Sequence, residues 1–296
     1  MRRLQSAMEY LMTYGWAILA LVVILGVLYY LGVFNALSFT PKAQPGACHV
    51  YRPDGPGTFD YANLVGTCSG QMPAYTATFS QTPAGYVSAP QSVSGNSSQQ
   101  VTVSFWLKPQ NNGYWGASGN YWEGAVSGGG GYGCWGNFYF FIEAGGNPPT
   151  VSWSLYRNST HTARDFAGDR LSENTWEHLV GTYNGSYIRV YLNGQPDGAA
   201  VACSDCLGVY PKITISGNNQ VSNGGGCNPI SGSMANVQIY NVSLSANEIS
   251  TLYSEGYGGA PVNIKNLVGW WPLNGNANDY SGNGNNATAT GVTYSG

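Results

Sequence analysis

The sequence predicts an all-β sandwich carried on a single N-terminal α-helix. Three observations predict it. The run from Tyr10 to Phe34 holds 25 residues and no charge. Beyond it, short stretches alternate apolar and polar residues at the period of a half-buried strand, most clearly Val101-Thr-Val-Ser-Phe-Trp-Leu-Lys-Pro109. Between two such stretches stands Asn193-Gly194, a dipeptide suited to a type I′ hairpin because both central residues need positive φ.

The helix comes first. Twenty-five residues at about 1.5 Å each give roughly 37 Å, enough to cross about 30 Å of hydrocarbon with some tilt. Arg2 and Arg3 precede the run and point that end to the cytoplasm. The remainder of the chain is thereby placed outside the cell membrane, at the surface. Glu9 stands at the head of the run. Such a carboxylate either sits at headgroup level, where the helix macrodipole favours it, or meets a partner in apolar surroundings.

Gln5-Ser-Ala-Met-Glu9-Tyr-Leu-Met-Thr-Tyr-Gly-Trp-Ala-Ile-Leu resembles the N-terminus of archaeal type IV pilin-like proteins, which carry a class III signal peptide. The resemblance implies that prepilin peptidase cuts between Leu4 and Gln5. Residues 1–4 are then a leader and residues 5–36 the apolar pilin-like transmembrane helix. It also implies that Glu9 meets the free amine of a neighbouring subunit, neutralising both charges in a filament core. The sequence departs from the family at Leu4, where a small residue is preferred. A secretory signal peptide would have a shorter apolar region and a small-residue cleavage site, of which Phe34-Asn-Ala-Leu-Ser-Phe offers only a weak form.

Charged residues make up 8% of the chain, against about 25% in an average soluble domain, and the net charge is −3. So few Lys and Arg argue against nucleic-acid binding and against docking on anionic membranes. Six cysteines follow the helix: Cys48, Cys68, Cys134, Cys203, Cys206 and Cys227. An even count in an external domain suggests disulfides. Cys48–Cys68 is the expected closure of the segment after the helix. Cys203-Ser-Asp-Cys206 is either a tight bridge or two half-bridges, with a zinc half-site as the rival reading. Sequons stand at Asn96, Asn158, Asn184, Asn241 and Asn286, and mark candidate glycosylation sites.

Residues 37–74 read as a connector, rich in Pro and Gly from Thr40 to Gly57. Tyr75 to Pro90 reads as a short strand pair. After the strand at 101–109, Asn111 to Gly133 reads as a long Gly/Asn/Tyr/Trp loop, a length that is functional or disordered. Asn137–Ala144, Thr150–Arg157, Trp176–Tyr183, Ser186–Leu192, Lys212–Ser216 and Ala235–Asn241 read as further strands, the spacing of a sandwich. One helix is written locally: Ser245 with Glu248 forms a capping box, Leu244 and Ile249 staple it, and Ala246–Glu255 ends at Gly256.

The order VSFWLKP, WEHLVGTYNGSYIRVYLNG, GSMANVQIYNVSLSANEISTLY resembles laminin-G-like, concanavalin-A-like jelly-roll domains over roughly Phe79 to Tyr253. The implied fold is an all-β jelly-roll sandwich spanning residues 75–296. Asn266-Leu-Val-Gly-Trp-Trp-Pro-Leu and the Asn/Gly-rich stretch after it resemble the opening of such a domain, placed here at its end. About thirty residues are too few for a second β core. The sequence therefore predicts circular permutation, with 266–296 returning as a strand of the same sandwich and burying Val268 and at least one of Trp270 and Trp271.

Paired carboxylates on one strand, as glycoside hydrolysis needs, are missing. Glu123, Glu143, Asp165, Asp169, Glu173 and Glu177 are scattered, with Asp165 and Asp169 in a loop, and His178 reads as a structural strand residue. No enzyme is expected. Tyr114, Trp115, Tyr121, Trp122, Tyr132 and Trp135 gather rings that could stack on sugars, or pack the loop, or meet a protein. The laminin-G resemblance raises calcium, with Asn274, Asp279 and Asn283 as the nearest oxygen donors; the rival is an Asn/Gly turn. The expected partners are further copies of the chain in a filament, the membrane, glycans and prepilin peptidase. The sequence thus reads as a filament subunit displaying a lectin-like head, or as a membrane-anchored lectin or adhesin that does not polymerise.

Overall fold

The computed structural model describes residues 14, 17–26, 48–51, 59–62, 73–90, 100–113, 122–129, 138–143, 147–158, 161–167, 170–208, 212–217 and 228–295. The chain divides into two compact units, Met1–Gln44 and Pro45–Gly296. In the first, residues 17–26 are helical (α1), and Ile18, Leu19, Leu21, Val22, Val23, Ile24 and Leu25 are exposed. Among the described residues no helix is long and apolar enough to cross a membrane, and most of the 5–36 run, with Leu4, Gln5 and Glu9, lies outside them.

The second unit is a two-sheet sandwich. A small hairpin, β1 (Cys48–Tyr51) with β2 (Phe59–Ala62), precedes it. The strands that follow are β3 (Thr76–Phe79), β4 (Tyr86–Pro90), β5 (Val101–Pro109), β6 (Trp122–Gly128), β7 (Phe138–Glu143), β8 (Thr150–Asn158), β9 (His161–Phe166), β10 (Glu177–Tyr183), β11 (Tyr187–Leu192) and β12 (Gln195–Ala202). Then come β13 (Lys212–Ile215), β14 (Asn228–Pro229), β15 (Gly232–Tyr240), helix α2 (Ala246–Glu255), β16 (Leu267–Trp271), β17 (Thr288–Thr290) and β18 (Thr293–Ser295). The first sheet runs β12-β11-β10-β5-β15-β3-β18, with β16 also on β15. The second runs β17-β4-β13-β6-β7-β8-β9, with β14 on β6.

Alternation explains the core. Val101, Val103, Phe105 and Leu107 of β5 face Phe138, Phe140 and Ile142 of β7 and Trp153 of β8, all buried between the sheets. Burying such a side chain contributes about 1.5–3 kcal/mol. Phe105 and Phe140 meet edge to face at 5.1 Å. The other face of the first sheet is covered by α2, whose Ile249 and Leu252 pack with Val180, Tyr240 and Trp270. The helix starts where its sequence says: the Ser245 side chain accepts from Glu248 N–H, and the Glu248 carboxylate accepts from Ser245 N–H at 2.7 Å. Asn193 (φ 50) and Gly194 (φ 79) turn β11 into β12.

The C-terminal stretch returns to the sandwich. β16 pairs antiparallel with β15, β17 with β4 and β18 with β3, so the segment adds strands to both sheets. Val268, Trp270 and Trp271 are all buried. Trp270 Nε1 donates to Asn236 Oδ1 at 2.7 Å and Trp271 Nε1 to the Asn285 carbonyl at 3.1 Å.

Three expectations need correction. The supposed strand pair within 75–90 is no pair: β3 and β4 diverge into different sheets after a turn closed by Gly85 N–H to the Ser80 carbonyl at 2.9 Å. The stretch 111–133 is not all loop, because β6 runs through it between β13 and β7. Asp165 lies in strand β9, not in a loop, and is buried. β12 also escapes the alternation pattern, its residues being mostly exposed. Of the cysteines, Cys203 and Cys206 are joined to each other as the tight bridge, and Cys48 opens β1. Cys68, Cys134 and Cys227 lie outside the described residues.

Candidate functional site: an aromatic and charged corner on the second sheet

Odd and even positions of the second sheet face opposite ways. Phe138, Phe140 and Ile142 enter the core. Tyr139, Phe141 and Glu143 therefore stand on the outer face. There Tyr139 and Phe141 form a separate apolar cluster against which Trp122 packs. Phe141 stacks on Trp122 with centroids 5.7 Å apart, and Tyr139 meets Phe141 at 4.5 Å.

Arg164 of β9 reaches this group. Its guanidinium lies 5.6 Å from the Trp122 ring centre, a cation–π distance. It pairs with Glu143 at 3.2 Å and donates Nε to Ser154 Oγ at 3.2 Å. The Arg164 and Glu143 side chains remain 29% and 24% exposed, so the ion pair is worth under about 1 kcal/mol to stability. Its positional value is greater, since it fixes the guanidinium beside the ring. Register then sets a row of mainly hydroxyl-bearing residues across the whole sheet: Thr288, Ser88, Thr214, Ser127, Tyr139, Ser154 and Arg164 are successive partners. The middle of the row is buried and its two ends reach solvent. A half-exposed indole, a fixed guanidinium and a carboxylate at one corner can stack on an apolar sugar face and bond its hydroxyls.

Glu123, next to Trp122 on β6, points the other way. It is buried, and Oε1 accepts from Asn112 Nδ2 at 2.7 Å and Gln81 Nε2 at 3.1 Å, while Oε2 accepts from Ser231 N–H at 3.2 Å. Burial outweighs these donors and pushes the carboxyl up to about 7.

A second aromatic group lies on the outer side of the first sheet. Trp106 stacks on His178 (5.1 Å) and on Tyr253 of α2 (5.7 Å), and Trp176 stacks on Tyr257 (4.8 Å). His178 Nε2 and Ser104 Oγ share a hydrogen bond at 2.9 Å, and burial lowers the imidazole to about 3. His178 therefore stays neutral and packs α2 onto the sheet, the structural role its place in a strand suggests.

Of the rings proposed to bind ligand, Trp122 opens β6 and is half-buried; Tyr114, Trp115, Tyr121, Tyr132 and Trp135 lie outside the described residues. Phe141, Tyr139, Glu143 and Arg164 were not singled out as a site. The alternation in Asn137-Phe-Tyr-Phe-Phe-Ile-Glu carries the signal for the first three, because it sends aromatic rings to both faces.

The three candidate calcium ligands each bond to the polypeptide. Asp279 accepts from Trp270, Ser281 and Asn285 N–H at 2.9–3.0 Å. Asn283 Nδ2 donates to the Leu267 and Val268 carbonyls, and Asn274 Oδ1 accepts from Tyr75 N–H. These contacts are those of a turn that fastens β16. Among the described residues no three His, Cys, Asp or Glu side chains are grouped to hold a metal. Of the sequons, Asn158, Asn184 and Asn286 are exposed, Asn241 is half-buried, and Asn96 lies outside the described residues.

Solved structures share this architecture. A candidate carbohydrate binding protein from Bacteroides ovatus superposes with a TM-score of 0.56 at 16% identity, over 76% of this chain and 60% of its own length. The native heptameric SAP-like pentraxin of Limulus polyphemus superposes with a TM-score of 0.53 at 15% identity, over 76% of this chain and 96% of its own. At such identities the likeness is one of fold. No curated protein matches the chain in sequence. The family model described as the concanavalin A-like lectin/glucanases superfamily matches residues 81–250, more than half of the 296 residues. With its two antiparallel sheets and capped helix accounted for, the chain belongs to the concanavalin A-like lectin/glucanases superfamily.

Proposed function

We propose that the chain is a subunit of a type IV pilin-like surface filament and that its sandwich is a carbohydrate-binding head. The observation that carries the binding half is the corner where Trp122 stacks on Phe141 beside the Arg164–Glu143 pair. The filament half is supported by the Gln5–Leu19 stretch and by Glu9 at the head of an uncharged run. Removal of residues 1–4 by prepilin peptidase leaves Gln5 as the new amine. Glu9 neutralises that amine on a neighbouring subunit, and the head is displayed outside the cell. Non-enzymatic binding is supported by the use of the head's buried carboxylates as backbone acceptors.

Titration of the full chain with a panel of soluble polysaccharides, read by calorimetry, tests the binding half. Trp122→Ala should weaken a bound glycan by about 30-fold, the equivalent of about 2 kcal/mol for a lost aromatic anchor. Equal affinity in wild type and variant would move the site elsewhere. Electron microscopy of surface appendages, with mass spectrometry of the mature N-terminus, tests the filament half. An intact Met1 and an absence of appendages would favour a lectin anchored in the membrane without polymerising.

A further inference from the structure

Glu123 has a geometry that the binding proposal does not use. Its carboxylate lies where three separate connections meet. Gln81 belongs to the turn between β3 and β4, Asn112 stands just after β5, and Ser231 stands between β14 and β15. Every group bonded to it in this arrangement is a donor. That set suits an ionised carboxylate, which only accepts. A protonated carboxyl carries an O–H that needs an acceptor. Ser231 offers a backbone N–H, which cannot become one. A carboxamide carries donor and acceptor on one carbon, so a half-turn about its last torsion exchanges NH2 for C=O.

We propose that Glu123 is a proton-operated tie: ionised, it accepts from both Gln81 and Asn112, and on taking up a proton it makes one of those two carboxamides turn over and accept. The cluster therefore has two hydrogen-bonded states separated by one proton and one amide flip. Burial holds the carboxyl at about 7, which puts both states within reach near neutral pH. Among the described residues no charged side chain sets this balance. Across β6, Ile142 of β7 and Asn228 of β14 are its partners in register. Glu143 on β7 and Lys212 on β13 have outer-face parity, and Lys108 on β5 has the parity of Trp106, away from the core. Glu173, between β9 and β10, accepts from Asn111 N–H just after β5 at 3.2 Å on the exposed side. The tie joins Asn112, just after β5, to Glu123 of β6 beside Trp122. The inference does not depend on what the Trp122 face binds.

The test is a pH titration of the detergent-solubilised full chain, followed by NMR with labelled Glu carboxyl carbons and labelled Asn and Gln side-chain nitrogens. Between about pH 5 and pH 9 the Glu123 carboxyl and the carboxamide of Asn112 or Gln81 should shift together with one midpoint near neutrality. Glu123→Gln, which cannot ionise, should abolish that common transition. A Glu123 signal that stays constant over this range, or one that titrates while both carboxamides stand still, would overturn the proposal. So would a carboxamide transition that persists in Glu123→Gln. The wild-type titration decides by itself if the variant does not fold.

Discussion

Replacing Trp271 with alanine tests whether the C-terminal segment is part of the head's core. The indole is fully buried in the cluster between the sheets, and its Nε1 donates to the Asn285 carbonyl at 3.1 Å. Its ring also fills the space that a side chain at Gly269 would need, since an added Cβ there would lie 2.3 Å from Trp271 Cη2. Truncating a buried Trp costs about 3–5 kcal/mol, because the surroundings only partly collapse into the cavity. The stranded Asn285 carbonyl adds about 1 kcal/mol if water does not reach it. For a unit of this size each kcal/mol shifts the melting temperature by about 2–4 °C, so Trp271→Ala should lower it by roughly 10–20 °C. Trp271→Phe keeps most of the ring and should lose about a third as much. Calorimetry or near-UV circular dichroism of the full chain reads the shift. A change under about 2 °C for Trp271→Ala would show that residues 266–296 hang on the sandwich as a tail.

Three further outcomes follow from named contacts. An alanine at Gly181 would place Cβ 2.5 Å from Trp153 Cδ2 and 2.7 Å from Phe140 Cζ, so Gly181→Ala should cost about 1–3 kcal/mol, and an unchanged melting temperature would contradict the packing. His178 is held neutral, down to about 3, so the stability it contributes is present above about 6.5 and is lost as pH falls; by pH 4.5 the loss is on the order of 3 kcal/mol. His178→Phe should flatten that acid limb, and identical limbs in both proteins would dismiss the assignment. Glu123 acts with the opposite sign: its carboxyl is raised to about 7, so its contribution is present below about 4.5 and is lost as pH rises through 7, by about 3 kcal/mol. Glu123→Gln should therefore gain on wild type in melting temperature as pH rises from about 5 to 8, and parallel curves would refute this.

Some elements were legible because local signals agree with the tertiary outcome. Val101–Pro109 alternates strictly, and both its faces are used, one against the second sheet and one beside α2. The helix carries its own start and stop in Ser245, Glu248 and Gly256. β6 was illegible for the opposite reason. Trp122-Glu-Gly-Ala-Val-Ser-Gly has one β-branched residue and two glycines, and a bulge between Gly124 and Val126 breaks its alternation. Neighbouring strands hold it, and no local propensity announces it. The site was half legible. Trp122 stood out as an aromatic, but Phe141 and Arg164 reach it through the registers of β7, β8 and β9, which spacing alone does not reveal. Asn274, Asp279 and Asn283 have the composition of an oxygen-rich ion site. An oxygen that could hold a cation equally accepts an N–H, and composition does not separate the two uses.

Four acids of the head, Asp165, Glu123, Glu177 and Asp279, share one use that accounts for their scattering in sequence. Each stands where a β ladder runs out. Asp165, on the second sheet, reaches Val190 N–H on the first at 2.9 Å, where a bulge between Ile188 and Val190 interrupts the pairing of β11 with β12. Glu123 takes Ser231 N–H just before β15 begins, and Glu177 takes Ser172 N–H at 2.7 Å ahead of its own strand. Asp279 takes Trp270 N–H on β16, which among the described residues pairs only with β15. A buried N–H left without an acceptor costs about 1–3 kcal/mol, more than an exposed ion pair returns. These four carboxylates therefore serve backbone N–H groups at the ends of the ladders. The consequence is measurable. At Asp279 the change to Ala should cost about 3 kcal/mol, since three N–H donors lose one acceptor group. Asp279→Asn keeps an acceptor oxygen and should cost less than half as much. Amide exchange at Trp270, Ser281 and Asn285 should quicken in the alanine variant before the rest of the sheet responds. Equal costs for Asn and Ala would mean that the negative charge, and not the acceptor, is what Asp279 supplies.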